Sequence, residues 1–83
     1  MREPRFSGRE TTIGIEVDPD ALRGQIAPPQ AGEMEIRPRD GRPVKVPVDE
    51  DGWFVVRPKP AGAFRLFFRS AGGQVVRTGW TTV

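Results

Sequence analysis

Cysteine, histidine and tyrosine are all missing from this 83-residue chain. Without cysteine no disulfide can staple it. A chain this short buries only about 60–65% of the surface its unfolded form exposes. It is therefore near the lower limit of what folds unaided. The missing cysteine and histidine also remove the usual zinc ligands, the commonest general base and the thiol nucleophile. Ser7, Ser70 and the threonines have no His or paired Lys to activate them, so a hydrolase is not expected. No G-x-G-x-x-G or P-loop pattern occurs, and Gly72-Gly73 reads as a turn. Long apolar runs are absent, which excludes a membrane-spanning helix. Residues 1–6 lack the hydrophobic stretch of a signal peptide. That, with the missing cysteine, predicts a cytoplasmic location.

What is present is turn chemistry and alternation. Ten Gly and nine Pro punctuate the chain. Between them lie short stretches in which apolar and polar residues alternate with period 2, the signal of half-buried strands. The stretch 44–68 is the richest. Val44, Val46 and Val48 alternate with Lys45, Pro47 and Asp49. Phe54 and Val56 form a second inward set, and Phe64, Leu66 and Phe68 a third. An acidic turn, Asp49-Glu50-Asp51-Gly52, separates the first two sets, and a rigid bend, Pro58-Lys59-Pro60-Ala61-Gly62, the last two.

In chain order the pattern predicts seven strands, at 11–17, 21–27, 33–38, 42–48, 53–57, 63–69 and 74–83. Asp18-Pro19-Asp20 ends the first; it could also open a helix, but no 3.6-residue period follows. Ile13, Ile15 and Val17, then Leu22, Gly24 and Ile26, then Met34 and Ile36 point inward. Val76 and Trp80 share a face of the last strand, and Trp80 reads as a core or edge packing residue. Asp40-Gly41 is the strongest tight-turn signal. Short strands every 8–12 residues predict an all-β fold: a seven-stranded antiparallel Greek-key β-sandwich. Residues 1–10 are read as a flexible N-terminal segment and 11–83 as a single domain.

The net charge of +2 hides an asymmetry. Residues 1–51 carry eight basic and eleven acidic groups, whereas 52–83 carry five basic and none acidic. Arg65, Phe67 and Arg69 point outward from their strand, Arg77 from the next, and Trp53 and Arg57 from theirs. If these strands share a sheet, the six residues form one Arg–aromatic face. Such a face fits a protein partner, since Trp, Phe and Arg anchor interfaces. It also fits nucleic acid or another polyanion, by stacking and phosphate tracking. A solvated sheet face is the plain alternative. Charge placement separates these readings: Glu16, Glu33 or Glu35 inside the patch counts against a polyanion. The acidic turn is too short for an EF-hand loop, and no metal or cofactor site is expected.

Asp49-Glu50-Asp51-Gly52-Trp53-Phe54, followed by Pro60-Ala61-Gly62-Ala63-Phe64-Arg65-Leu66, resembles the D-x-x-G-x-F … P-x-G-x-x-x-L pattern of carboxypeptidase-regulatory-like domains. Those are small transthyretin-like (prealbumin-like) sandwiches. Leu22-Arg23-Gly24-Gln25-Ile26 is similar to that family's first G-x-V/I strand. With Pro28-Pro29 and Thr78-Gly79-Trp80 added, the chain also resembles small actinobacterial accessory proteins encoded beside extracytoplasmic-function sigma factors and CHAT-protease genes. The resemblance implies a non-enzymatic accessory or regulatory module, with a protein partner that is a regulatory or protease component. A structural spacer within a larger protein is the other role such domains fill. The last strand has no Pro and is a candidate edge for pairing with a partner or a second copy.

Overall fold

The computed structural model describes the backbone of residues 5–8 and all of residues 11–82. Among these residues there is no helix. Nine strands form two antiparallel sheets: β1 (Arg5–Gly8), β2 (Thr11–Val17), β3 (Leu22–Ala27), β4 (Gly32–Pro38), β5 (Val44–Val48), β6 (Trp53–Val56), β7 (Ala63–Ser70), β8 (Val75–Arg77) and β9 (Thr81–Thr82). One sheet runs β1-β2-β3-β6. The other runs β5-β4-β7-β8, with β9 also on β7. Their inner faces enclose one core of Ile13, Ile15, Leu22, Ile26, Met34, Ile36, Val48, Phe54, Val56, Phe64, Leu66, Phe68 and Val76. This is the sandwich-like, all-β architecture that alternation predicts.

Every stretch expected to be a strand contains one, but the details differ in four places. β1 pairs with β2, Phe6 opposite Ile13, inside the segment read as flexible. Four residues are too few to show a period, and only the partner strand defines them. Val17 and Val44 have inward parity yet are 40% and 46% exposed. Each lies at a strand end with a paired strand on one side only among the described residues, beside the buried Leu22 and Ile36. The expected last strand is broken: β8 and β9 sit on the same side of β7, with residues 78–80 outside any strand. Val83 lies outside the described residues. Trp80 therefore leaves the core face that Val76 occupies and is 45% exposed.

Thr78 causes the break. Its backbone N–H donates to Leu66 O at 3.0 Å. Its hydroxyl accepts from Leu66 N–H at 3.0 Å and donates to Gly79 O at 2.8 Å. A side chain thus replaces the next backbone rung, and the strand veers away. Thr78→Val keeps the shape and leaves Leu66 N–H buried without an acceptor. The expected loss is about 1–3 kcal/mol, read as a lower urea midpoint with unchanged slope.

The acidic turn crosses from one sheet to the other. Gly52 N–H donates to Asp49 O at 2.9 Å, and Asp49 N–H to Trp53 O at 3.0 Å. The Asp49 carboxylate accepts from the N–H groups of Asp51 and Trp53, both at 2.9 Å. Asp49 is thus an Asx-type cap of the turn. Gly52, at φ +84°, closes the turn against β3, where Ile26 N–H donates to Gly52 O at 2.8 Å.

Candidate functional site

The six residues singled out from the sequence divide between the two sheets. Trp53 starts β6 and Arg57 follows its end, so both belong to the four-stranded sheet. Arg65, Phe67, Arg69 and Arg77 lie on β7 and β8 of the five-stranded sheet. A single face of all six is therefore corrected to a cluster of four, with Trp53 and Arg57 apart from it. The chain switches sheets at the Pro58–Gly62 bend, and period-2 alternation carries no information about which sheet a strand joins.

The four gain neighbours that sequence patterning did not select. Pairing sets Arg37 opposite Arg65, Glu35 opposite Phe67, and Glu33 opposite Arg69. Phe67 lies opposite Arg77 on its other side, and Lys45 lies opposite Glu35. Like charges directly across strands destabilise a sheet. Here aromatic rings take up the Arg37–Arg65 pair. The Arg37 guanidinium lies 4.1 Å from the Phe67 centroid. Arg65 is 5.5 Å from Phe67 and 4.7 Å from Trp80. Arg39 lies 4.8 Å from Trp80. The result is a ladder, Arg37–Phe67–Arg65–Trp80–Arg39. Each such contact contributes about 0.5–1 kcal/mol at an exposed site.

Packing against the rings buries the Nε atoms of Arg37 and Arg65 without a hydrogen-bond partner. Glu35 accepts from Arg37 Nη2 at 3.0 Å, and the Glu33 carboxylate lies 3.9 Å from Lys45 Nζ. Among the described residues, Arg39, Arg65, Arg69 and Arg77 have no carboxylate within ion-pair distance. The face presents six basic groups (Arg37, Arg39, Lys45, Arg65, Arg69, Arg77) against Glu33 and Glu35.

Compared with known protein families, with curated proteins and with solved structures, the chain matches none. Its ladder can stack on flat groups and accept carboxylates on the outward N–H groups of its guanidiniums. Among the described residues, no three Asp or Glu side chains converge as a metal site would need. Trp80 and Arg39 were the residues that alternation missed. Gly79 beside Trp80, and the Arg37-Pro38-Arg39 spacing, were the only local signs of them.

Among the described residues, no helix is long and apolar enough to cross a membrane.

Proposed function

We propose that this chain is a non-enzymatic accessory module that binds an acidic protein partner through the outer face of its five-stranded sheet. The observation that carries this reading is the Arg37–Phe67–Arg65–Trp80–Arg39 ladder. Stacking holds the guanidiniums before a partner arrives, so less side-chain entropy is lost on binding. Arg and aromatic residues at the centre of a patch are the anchors of protein interfaces. The excess of four basic groups selects an acidic surface and speeds encounter.

Glu33 and Glu35 weigh against a polyanion. They sit among the basic groups, Glu35 opposite Lys45 and Glu33 opposite Arg69, where a phosphate backbone would meet two carboxylates. The resemblance to carboxypeptidase-regulatory-like domains supports a Greek-key, transthyretin-like sandwich, that to the small actinobacterial accessory proteins supports a regulatory or protease component as partner, and the missing cysteine supports a cytoplasmic location. β8 lies at the edge of its sheet, so a second copy pairing there is a competing outcome.

Affinity capture with the wild-type chain and with Arg65→Glu/Phe67→Ser, each with and without nuclease, tests the reading. The expected result is an acidic protein held by wild type, lost from the double variant and indifferent to nuclease. Nuclease-sensitive capture would replace the reading with a nucleic-acid one. Equal capture by both chains would remove the ladder from the interface.

A further inference from the structure

The opposite face holds a second, different arrangement. On the outer side of the four-stranded sheet, pairing aligns Gly14 with Gln25 and Gln25 with Trp53. The adjoining row aligns Glu16 with Arg23 and Arg23 with Val55. Among the described residues, a Cβ at Gly14 would meet nothing within 4 Å. Around it lies an open hollow of about 410 Å³, lined by Thr12, Gly14, Glu16, Arg23, Gln25 and Trp53 among others.

Trp53 forms one wall. It is 48% exposed and borders two further hollows, one with Val55 and Arg57 and one with Val46 and Pro47. It therefore stands proud of the sheet. Trp80 is covered by two guanidiniums, but among the described residues none stacks on Trp53. An unstacked indole beside an open trough is an apolar plate with no stacking partner among the described residues.

The polar lining narrows the ligand. Thr12 offers a hydroxyl, Gln25 an amide that both donates and accepts, Glu16 an acceptor and Arg23 donors. Arg23 also pairs with Asp18 at 3.0 Å, which reduces its pull on an anion. Among the described side chains the lining is charge-balanced and mixed in donors and acceptors. A polyanion would gain nothing here that the other face does not offer more strongly. A neutral ring with an apolar C–H face and a rim of hydroxyls matches both parts. The C–H face covers the indole, and each hydroxyl finds a donor or acceptor. That is the chemistry of a saccharide. We infer that the Gly14–Gln25–Trp53 trough binds a neutral oligosaccharide, on the face opposite the protein-binding ladder and independently of it.

Trp53 and Trp80 are the only tryptophans, so Trp80→Phe makes Trp53 the sole indole reporter. Maltohexaose, cellohexaose and chitohexaose are titrated against that chain, following Trp53 fluorescence and backbone amide shifts. The expected result with one of them is a saturable change with a Kd of about 1 mM. Amide shifts should concentrate at Gly14, Gln25 and Trp53. Gly14→Val fills the trough where space is open, so its melting midpoint should stay near the parent's while binding falls at least tenfold. Trp53→Ala should abolish it. Arg65→Glu/Phe67→Ser should leave it unchanged, which separates this site from the ladder. No saturable response to any of the three sugars, or an equal response from Gly14→Val, would overturn the inference. So would shifts here with an acidic peptide but not with sugar.

Discussion

Gly52→Val is expected to leave the chain largely unfolded. Three effects coincide at this position. Its φ of +84° lies in the left-handed region, where a β-branched residue is strained by about 1–3 kcal/mol. A Cβ there would sit 2.5 Å from the carbonyl oxygen of Ile26, a backbone atom that cannot rotate aside. Moving the turn away would break the Ile26 N–H to Gly52 O bond that starts the β3–β6 pairing. A chain of this length has a total stability of about 4–12 kcal/mol, so the sum takes most or all of it. Gly62 is the control. Its φ is +73°, but a Cβ there meets nothing within 4 Å among the described residues. Gly62→Ala should therefore show strain alone, about 1 kcal/mol. Thermal melts of the two variants separate strain from collision. Similar midpoints for both would contradict the account of the turn.

Phe54→Ala is expected to cost about 3–5 kcal/mol, the range for truncating a buried Phe. Phe54 is 2% exposed, and its ring lies across Gly24, its partner on β3. A Cβ on Gly24 would come 2.1 Å from the ring's Cζ and 2.4 Å from Cε1. The glycine is thus the seat of the ring, and the ring covers backbone that a glycine leaves bare. Gly24→Ala alone should overpack this contact and cost about 1–3 kcal/mol. In the Phe54→Ala background the added methyl enters the space the ring has left, so the second change should cost little or restore stability. Urea denaturation of the four chains gives the coupling energy directly. Additive losses would mean that ring and glycine do not touch as described.

Both positions are legible in the sequence. Gly52 stands in an acidic turn, and Phe54 and Gly24 have inward parity. Parity works there because both strands are covered along their length. It fails at Val44 and Val17, strand-end residues that have a neighbouring strand on one side only among the described residues. It fails again at Trp80, which has Val76's parity but follows the Thr78 substitution of a side chain for a backbone rung. The larger gap concerns the site. That Arg65, Phe67, Arg69 and Arg77 point outward follows from alternation. That Trp53 and Arg57 belong to the opposite face does not, because sheet membership is decided by pairings between residues far apart in the chain. The same long-range pairing brings Arg37 beside Phe67. Arg39 reaches Trp80 only because Trp80 has left its strand, so the five-residue ladder has no counterpart in any local motif.

The central claim is that the ladder face, and not the opposite one, meets a protein partner. A photo-reactive benzoylphenylalanine placed at Arg69 tests this most directly, compared with one at Glu16 on the other sheet, in cells of the source organism. The account expects a discrete adduct with an acidic protein from position 69 only, absent when Arg65→Glu/Phe67→Ser is added and present after nuclease treatment. Adducts of equal yield from both positions, or an adduct from position 69 that survives the double substitution, would contradict it.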